Sequence, residues 1–92
     1  TELIRDQPDV AEAWNRRAIL YYFTAQYEKA LVDCQTVVKL NSMHFGAWHG
    51  LGLCQMALAD YSAAIRAFRQ ALKIQPYAID NQRLLLECTA KL

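Results

Sequence analysis

Apolar and polar positions along the chain fall into short helical stripes separated by brief joints. Over residues 11–24, Trp14, Ala18, Tyr21 and Tyr22 recur at the i, i+4, i+7, i+8 spacing of one α-helical face. Tyr27 to Leu40 renews the stripe with Ala30, Leu31, Cys34, Val37 and Val38. The joint between these segments, "TAQ", is too short for anything but an antiparallel turn. Ala47 to Leu58 and Tyr61 to Ile74 predict a second helix pair, joined around "ADY". Beyond Pro76, Tyr77, Leu84, Leu85 and Cys88 make a partial stripe on a last helix. Pro76 ends the fourth helix or opens the next, because proline is tolerated in the first turn and not inside. Asp9, or a residue near it, is expected to cap the first long helix, and residues 1–7 to be the tail of an earlier one.

The two pairs are copies of each other. Trp14 and Trp48 lie 34 apart, as do Ala18 and Gly52, Tyr27 and Tyr61, Ala30 and Ala64, and Val37 and Ala71. Pro8, Ser42 and Pro76 mark the junctions at the same interval. A fixed period of this length marks stacked units that share one continuous core. Small residues recur one turn after each Trp (Ala18, Gly52) and one turn into each second helix (Ala30, Ala64). An interior glycine costs about 0.5–1 kcal/mol relative to alanine, so Gly52 predicts a close helix approach, with Trp14 and Trp48 filling the wider space a turn earlier. After Pro76 the echo fades: Gln82 takes the Trp position and Leu86 the small one. The fold class that follows is all-α, an alpha-alpha superhelix of antiparallel helix pairs in a single domain over 1–92. Repeat one spans 9–42, repeat two 43–76, and a capping or partial third-repeat helix 77–92.

Composition narrows the function classes. The 92 residues are 54% apolar and 21% charged, an ordinary globular mix. Ten Lys and Arg against nine Asp and Glu give a formal charge of +1, without the basic excess of a nucleic-acid binder. The apolar stretches are too short to span a bilayer, so no membrane insertion is expected. The opening "TELIRDQP" lacks the order of a secretory signal, and a start at Thr1 suggests a piece of a longer chain. Three widely spaced cysteines, Cys34, Cys54 and Cys88, are an odd set without a CxxC pair. They read as small buried side chains in a reducing, cytoplasmic-type compartment rather than as a disulfide framework.

Reactive constellations are not visible in the pattern. His44 and His49 stand five apart, about 140° around a helix, which suits no shared metal. Cys54, five beyond His49, likewise falls on another face, against a Cys–His nucleophile. "GLG" from Gly50 lies inside a helix and not after a strand. Glu28, Asp33 and Asp60 read as solvated face and helix-end charges, and Arg66, Arg69 and Lys73 as one helix's outward face. The expectation is no enzyme, no cofactor, no metal and no nucleic acid.

The second unit, "GAWHGLGLCQMALADYSAAIRAFRQALKIQP", closely resembles the tetratricopeptide repeat through Trp48, Leu51, Gly52, Tyr61, Ala64, Phe68, Ala71 and Pro76. The first unit resembles it through Trp14, Ala18, Tyr21, Tyr27 and Ala30. It carries Arg17 where Leu51 stands, Cys34 for Phe68, Val37 for Ala71 and Ser42 for Pro76. The resemblance implies a right-handed superhelix whose concave face, lined by each unit's first helix, holds a peptide or partner helix. It implies a setting in chaperone cofactors and multiprotein assemblies. The candidate groove residues are then Asn15, Arg16, Ile19, Tyr22, Phe23, His49, Leu53, Met56 and Arg83, with Gly46 and Gly50 leaving the groove shallow beside His49. A subclass clamps chaperone C-terminal carboxylates with Lys and Asn side chains and an Arg. At those places this sequence has Asn15, Ile19, Gly50, Asp80 and Leu84, so a complete carboxylate clamp is not expected. Arg16, Arg17 and Arg83 remain able to meet one acidic group. The leading reading is a protein–protein interaction module of an adaptor or co-chaperone-like protein. The rival is a structural scaffold or self-association segment in a longer array.

Overall fold

The computed structural model describes residues 10–92, so the expected cap at Asp9 and the earlier helix in residues 1–7 lie outside the described residues. Five helices follow in order: α1 Val10–Phe23, α2 Tyr27–Leu40, α3 Phe45–Ala57, α4 Tyr61–Ile74 and α5 Ile79–Lys91. All regular structure among the described residues is helical. Each helix packs on the next, and α1 also touches α3. The described residues extend 45 × 27 × 17 Å.

The joints within the two pairs are conformational copies. The Gln26 N–H donates to the Tyr21 carbonyl at 2.8 Å and Ala25 N–H to Tyr22 at 3.0 Å. In the second pair Asp60 N–H donates to Gln55 at 2.8 Å and Ala59 N–H to Met56 at 2.9 Å. This double closure places one residue just past the helix in the left-handed region. Here that residue is Ala25 (φ 61°) or Ala59 (φ 62°), so the turn carries no glycine to announce it.

Three buried clusters run through the stack. Ala18, Cys34, Leu51 and Ala67 join α1 through α4, with Leu31 and Trp48 against them. Ala11, Val37 and Ala47 tie α1, α2 and α3 together beside Trp14 and Val38. Ala64, Ile65, Phe68 and Cys88 seat α5 on α4, flanked by Leu53, Met56, Tyr61, Leu84 and Leu85. The close approach expected at Gly52 is present: a Cβ there would lie 2.5 Å from the buried Phe68 ring.

The structure departs from the sequence expectations at three places. Helix α3 begins at Phe45, two residues before Ala47, because His44 acts as its N-cap and its Nδ1 accepts the Ala47 N–H at 3.0 Å. Its Nε2 meets the Glu12 carboxylate of α1, so one ring caps α3 and ties it to the first helix. Tyr77 does not join the α5 stripe. It sits in the turn ahead of the helix and is 90% exposed, while Leu84, Leu85 and Cys88 pack as expected. Asp33 is not a solvated charge but is 2% exposed. Arg17 grips it through two parallel hydrogen bonds, Nε to Oδ2 at 2.7 Å and Nη2 to Oδ1 at 2.8 Å. The fork geometry of guanidinium on carboxylate is what makes a buried acid tolerable. Glu28 is exposed, and Asp60 caps α4 by accepting the Ala63 N–H at 3.3 Å.

Candidate functional site: a cavity between α1 and α3

The contact between α1 and α3 leaves a cavity of about 320 Å³ on one side of the stack. From α1, helical spacing aligns Asn15, Ile19, Tyr22 and Phe23 along one wall. From α3, Gly46, His49, Gly50 and Leu53 form the other. Ala18, Cys34 and Cys54 also line it, and all three are buried. Among the described residues, no Asp, Glu, Lys or Arg lines it. The volume sits at the small end of the roughly 300–1,000 Å³ typical of ligand sites. Phe23 is 79% exposed and Ile19 46%, so much of the apolar wall faces water. Gly50 keeps the space open over Cys34, since a Cβ there would come within 3.3 Å of its sulfur.

His49 is held from three directions. Its ring stacks on Phe45 at 5.8 Å between centroids with the planes 14° apart, and meets the Phe68 ring at 5.8 Å. Its Nδ1 lies 2.7 Å from Asn81 Oδ1, while the Asn81 Nδ2 donates to the Phe68 carbonyl at 2.7 Å. Because the amide NH₂ is committed to a carbonyl, Oδ1 must accept, and the network assigns the proton of neutral His49 to Nδ1. Nε2 is then the ring's acceptor, without a hydrogen-bond partner among the described residues. Asn81, fully buried in the first turn of α5, therefore links a cavity wall on α3 to α4 and α5.

Tyr22 packs edge-on against Phe23 (5.7 Å) and Tyr27 (5.4 Å). Burial pushes its phenol pKa up, with smaller contributions from Tyr27 and Cys54. On the floor, Cys34 is pushed up by its hydrogen bond to Cys54 and by burial, and Cys54 is drawn down by the same bond against the opposing effect of burial.

Of the residues singled out in sequence, Asn15, Ile19, Tyr22, Phe23, His49 and Leu53 border this one cavity. Three do not. Arg16 is exposed outside it. Met56 packs against the Ala64, Ile65, Phe68 and Cys88 cluster. Arg83 lies exposed on α5, 3.6 Å from Asp80 and 3.2 Å from Glu87. Arg17, committed to Asp33, is not free for a ligand. The floor residues Ala18, Cys34 and Cys54 were missed. Cys34 had a signal: it stands where the second unit has Phe68, so volume is lacking there. His49 and Cys54, five apart, both reach the cavity because it spans more than one helical stripe. Among the described residues no group of three or more His, Cys, Asp or Glu is placed to hold a metal. No helix among them is long and apolar enough to cross a membrane.

Comparison with known proteins agrees with this architecture. The tetratricopeptide-repeat family model matches residues 11–44 and 46–77. A TPR repeat-containing protein of Rhizobium etli is 33% identical over 75 residues, covering 82% of this chain and 37% of that protein. The Sgt2 TPR domain from Aspergillus fumigatus superposes with a TM-score of 0.85 at 26% identity, over 91% of this chain and 57% of that one. The first TPR of Spaghetti (RPAP3), solved bound to an HSP90 peptide, superposes with a TM-score of 0.87 at 21% identity, over 88% of this chain and 64% of that one. This chain thus spans about a third of the Rhizobium etli relative and about three-fifths of the two solved chains. With two matched units, five stacked helices and these neighbours, the chain belongs to the tetratricopeptide-repeat family.

Proposed function

We propose that this chain is a protein-binding module whose α1–α3 cavity receives an apolar segment of a partner, a helix or an extended peptide. The observation that carries the reading is the cavity itself, walled by Ile19, Tyr22, Phe23 and Leu53 and with no charged side chain among the described residues that line it. Exposed aromatic and aliphatic side chains around a concave site are what anchors partner side chains in peptide recognition. Asn15 and the His49 Nε2 supply directional hydrogen bonds at its rim, which set orientation more than strength. The solved relative binds an acidic HSP90 peptide. Here the clamp positions hold Asn15, Ile19, Gly50, Asp80 and Leu84, so an apolar anchor suits this cavity better than a carboxylate tail. The module fits an adaptor or co-chaperone-like protein with units at 9–42 and 43–76 and with α5 capping the stack or opening a third unit. Three buried free thiols suit a reducing compartment such as the cytoplasm.

The test is selection of peptides from a displayed random library, followed by calorimetric binding to the folded chain and to the Ile19→Ala, Phe23→Ala double variant. Both side chains are largely exposed, so the variant keeps its core. Selected peptides with a shared apolar anchor and binding weakened at least about tenfold in the variant are the expected result. Binding equal in both proteins removes the cavity from consideration.

A second reading draws on α5, where Ile79 and Leu86 are exposed. It makes this end helix a docking or self-association surface. Concentration-dependent dimerisation in sedimentation, abolished by Leu86→Lys, is its expected mark.

A further inference from the structure

In the first helix pair the Arg17 guanidinium acts as a plug. It lies 4.7 Å from the centre of the Trp14 ring and 5.5 Å from that of Tyr21, while its fork holds Asp33. The Lys29 ammonium lies over the same Tyr21 ring at 5.7 Å. One repeat later Trp48 keeps the Trp14 position, but Arg17 becomes Leu51, Tyr21 becomes Gln55, Lys29 becomes Ala63 and Asp33 becomes Ala67. Each of these changes removes bulk or charge that filled or held the plug. What is left is a pocket of about 230 Å³ between α3 and α4, lined by these residues of the second pair together with Arg66 and Gln70. It shares no lining residue with the α1–α3 cavity.

Three groups decide what such a pocket takes. Trp48 commits its Nε1–H to the Ser42 carbonyl at 2.8 Å, so what it offers a ligand is a flat π face, which favours a planar group. Gln55 Oε1 is buried with no hydrogen-bond partner among the described residues, so the amide can turn toward an incoming donor without giving up a bond. Exposed Arg66 brings donors and a positive charge. A guanidinium like that of Arg17 finds no carboxylate here, because Ala67 stands in the place of Asp33, and it meets the charge of Arg66 instead. A carboxylate suits Arg66 but has no proton for Gln55. A primary carboxamide answers all three: its plane lies on Trp48, its N–H donates to Gln55 Oε1 and its carbonyl accepts from Arg66. Leu51 and Ala63 give an alkyl stem an apolar wall. The volume is below the roughly 300–1,000 Å³ of sites for whole small molecules and is of side-chain size. We propose that this pocket is a second recognition site, which receives a glutamine side chain of a partner polypeptide. It does not rest on what the α1–α3 cavity binds.

The experiment follows the two indole N–H signals of the folded chain by heteronuclear NMR during titration with N-acetylglutamine N-methylamide at neutral pH. Trp14 is the internal control, because Arg17 already covers its ring. The expected result is saturable movement of the Trp48 indole and the Gln55 side-chain amide while Trp14 stays still. The glutamate counterpart of the probe should bind about fivefold more weakly, the worth of one hydrogen bond. Gln55→Leu and Arg66→Ala should each weaken glutamine binding by about the same factor. Leu51→Arg combined with Ala67→Asp, which rebuilds the plug, should abolish it, and the Ile19→Ala, Phe23→Ala variant should bind the probe as the wild type does. The proposal is overturned if both indoles move together, if the glutamate probe binds as tightly as the glutamine probe, or if Gln55→Leu binds undiminished. It is equally overturned if the Trp48 signal shows no saturable movement up to about 0.1 M probe, an affinity too weak for an anchor. The comparison of the two probes uses the wild-type chain, so a variant that folds poorly leaves the answer intact.

Discussion

The two helix pairs solve one packing problem with different chemistry. Shifted by 34 residues, Arg17 corresponds to Leu51 and Asp33 to Ala67, while Ala18 corresponds to Gly52 and Cys34 to Phe68. In the second pair Leu51 and Ala67 meet in an apolar cluster, and Phe68 fills the space that Gly52 concedes. In the first pair the Leu–Ala position is an ion pair, with the Arg17 guanidinium also lying 4.7 Å over the Trp14 ring. The Gly–Phe position there is Ala and Cys. What the repeat preserves is depth, since Asp33, Cys34, Ala67 and Phe68 are all buried. What it leaves free is the chemistry at that depth. A small Cys34 instead of a phenyl ring is also why space remains next to the first pair.

The sharpest contrast should appear on truncating the two equivalent residues. Phe68→Ala should cost about 3–5 kcal/mol in urea unfolding, whereas Cys34→Ala should cost about 1 kcal/mol, the scale of one buried methylene. Near-equal losses would break the claim that the second pair rests on its aromatic core. Next comes the ion pair. Arg17→Ala should destabilise more than Asp33→Ala, because it strands a buried carboxylate while the reverse change leaves an arginine that can reach water. Arg17→Leu combined with Asp33→Ala, which copies the second pair, should recover most of the loss in thermal melts. A double variant worse than either single would show that the two pairs are not interchangeable. Asn81→Ala should cost about 1–3 kcal/mol by leaving the His49 Nδ1–H without its acceptor and the Phe68 carbonyl without its side-chain donor, with faster amide exchange concentrated in α5. The smallest effect is a gain. Ala25→Gly and Ala59→Gly should each stabilise by about 0.5–1 kcal/mol, because glycine accepts a left-handed backbone at no steric cost. Their matching φ angles predict matching gains.

The sequence carried the helix order, the period and the small-residue contacts, because each is written in spacing. Most of the cavity walls came through the resemblance to the repeat family, which implied Asn15, Ile19, Tyr22, Phe23, His49 and Leu53, and not from periodicity alone. The sequence did not carry what depends on pairing across a distance. Nothing local marks Asp33 as the partner of Arg17, sixteen residues earlier, and a lone Asp on a helix reads as solvated. His44 was not legible as a helix cap, because its cap acceptor is a ring nitrogen rather than the usual short oxygen side chain. Met56 shares its helix with the wall residue Leu53, and only the docking of α5 decides that it packs against the α4–α5 cluster. The cavity floor stayed hidden because three small residues from three helices look like ordinary core.

The Asn81 bridge gives this stack a direction. In a linear array each helix is held mainly by its neighbours, so local opening of one helix acts first on the residues it anchors. Detachment of α5 alone removes the Asn81 anchor from His49. Opening of α5 should therefore slacken the polar rim of the cavity before its aromatic wall on α1. A chain that breathes in this order loses ligand orientation first and apolar grip last.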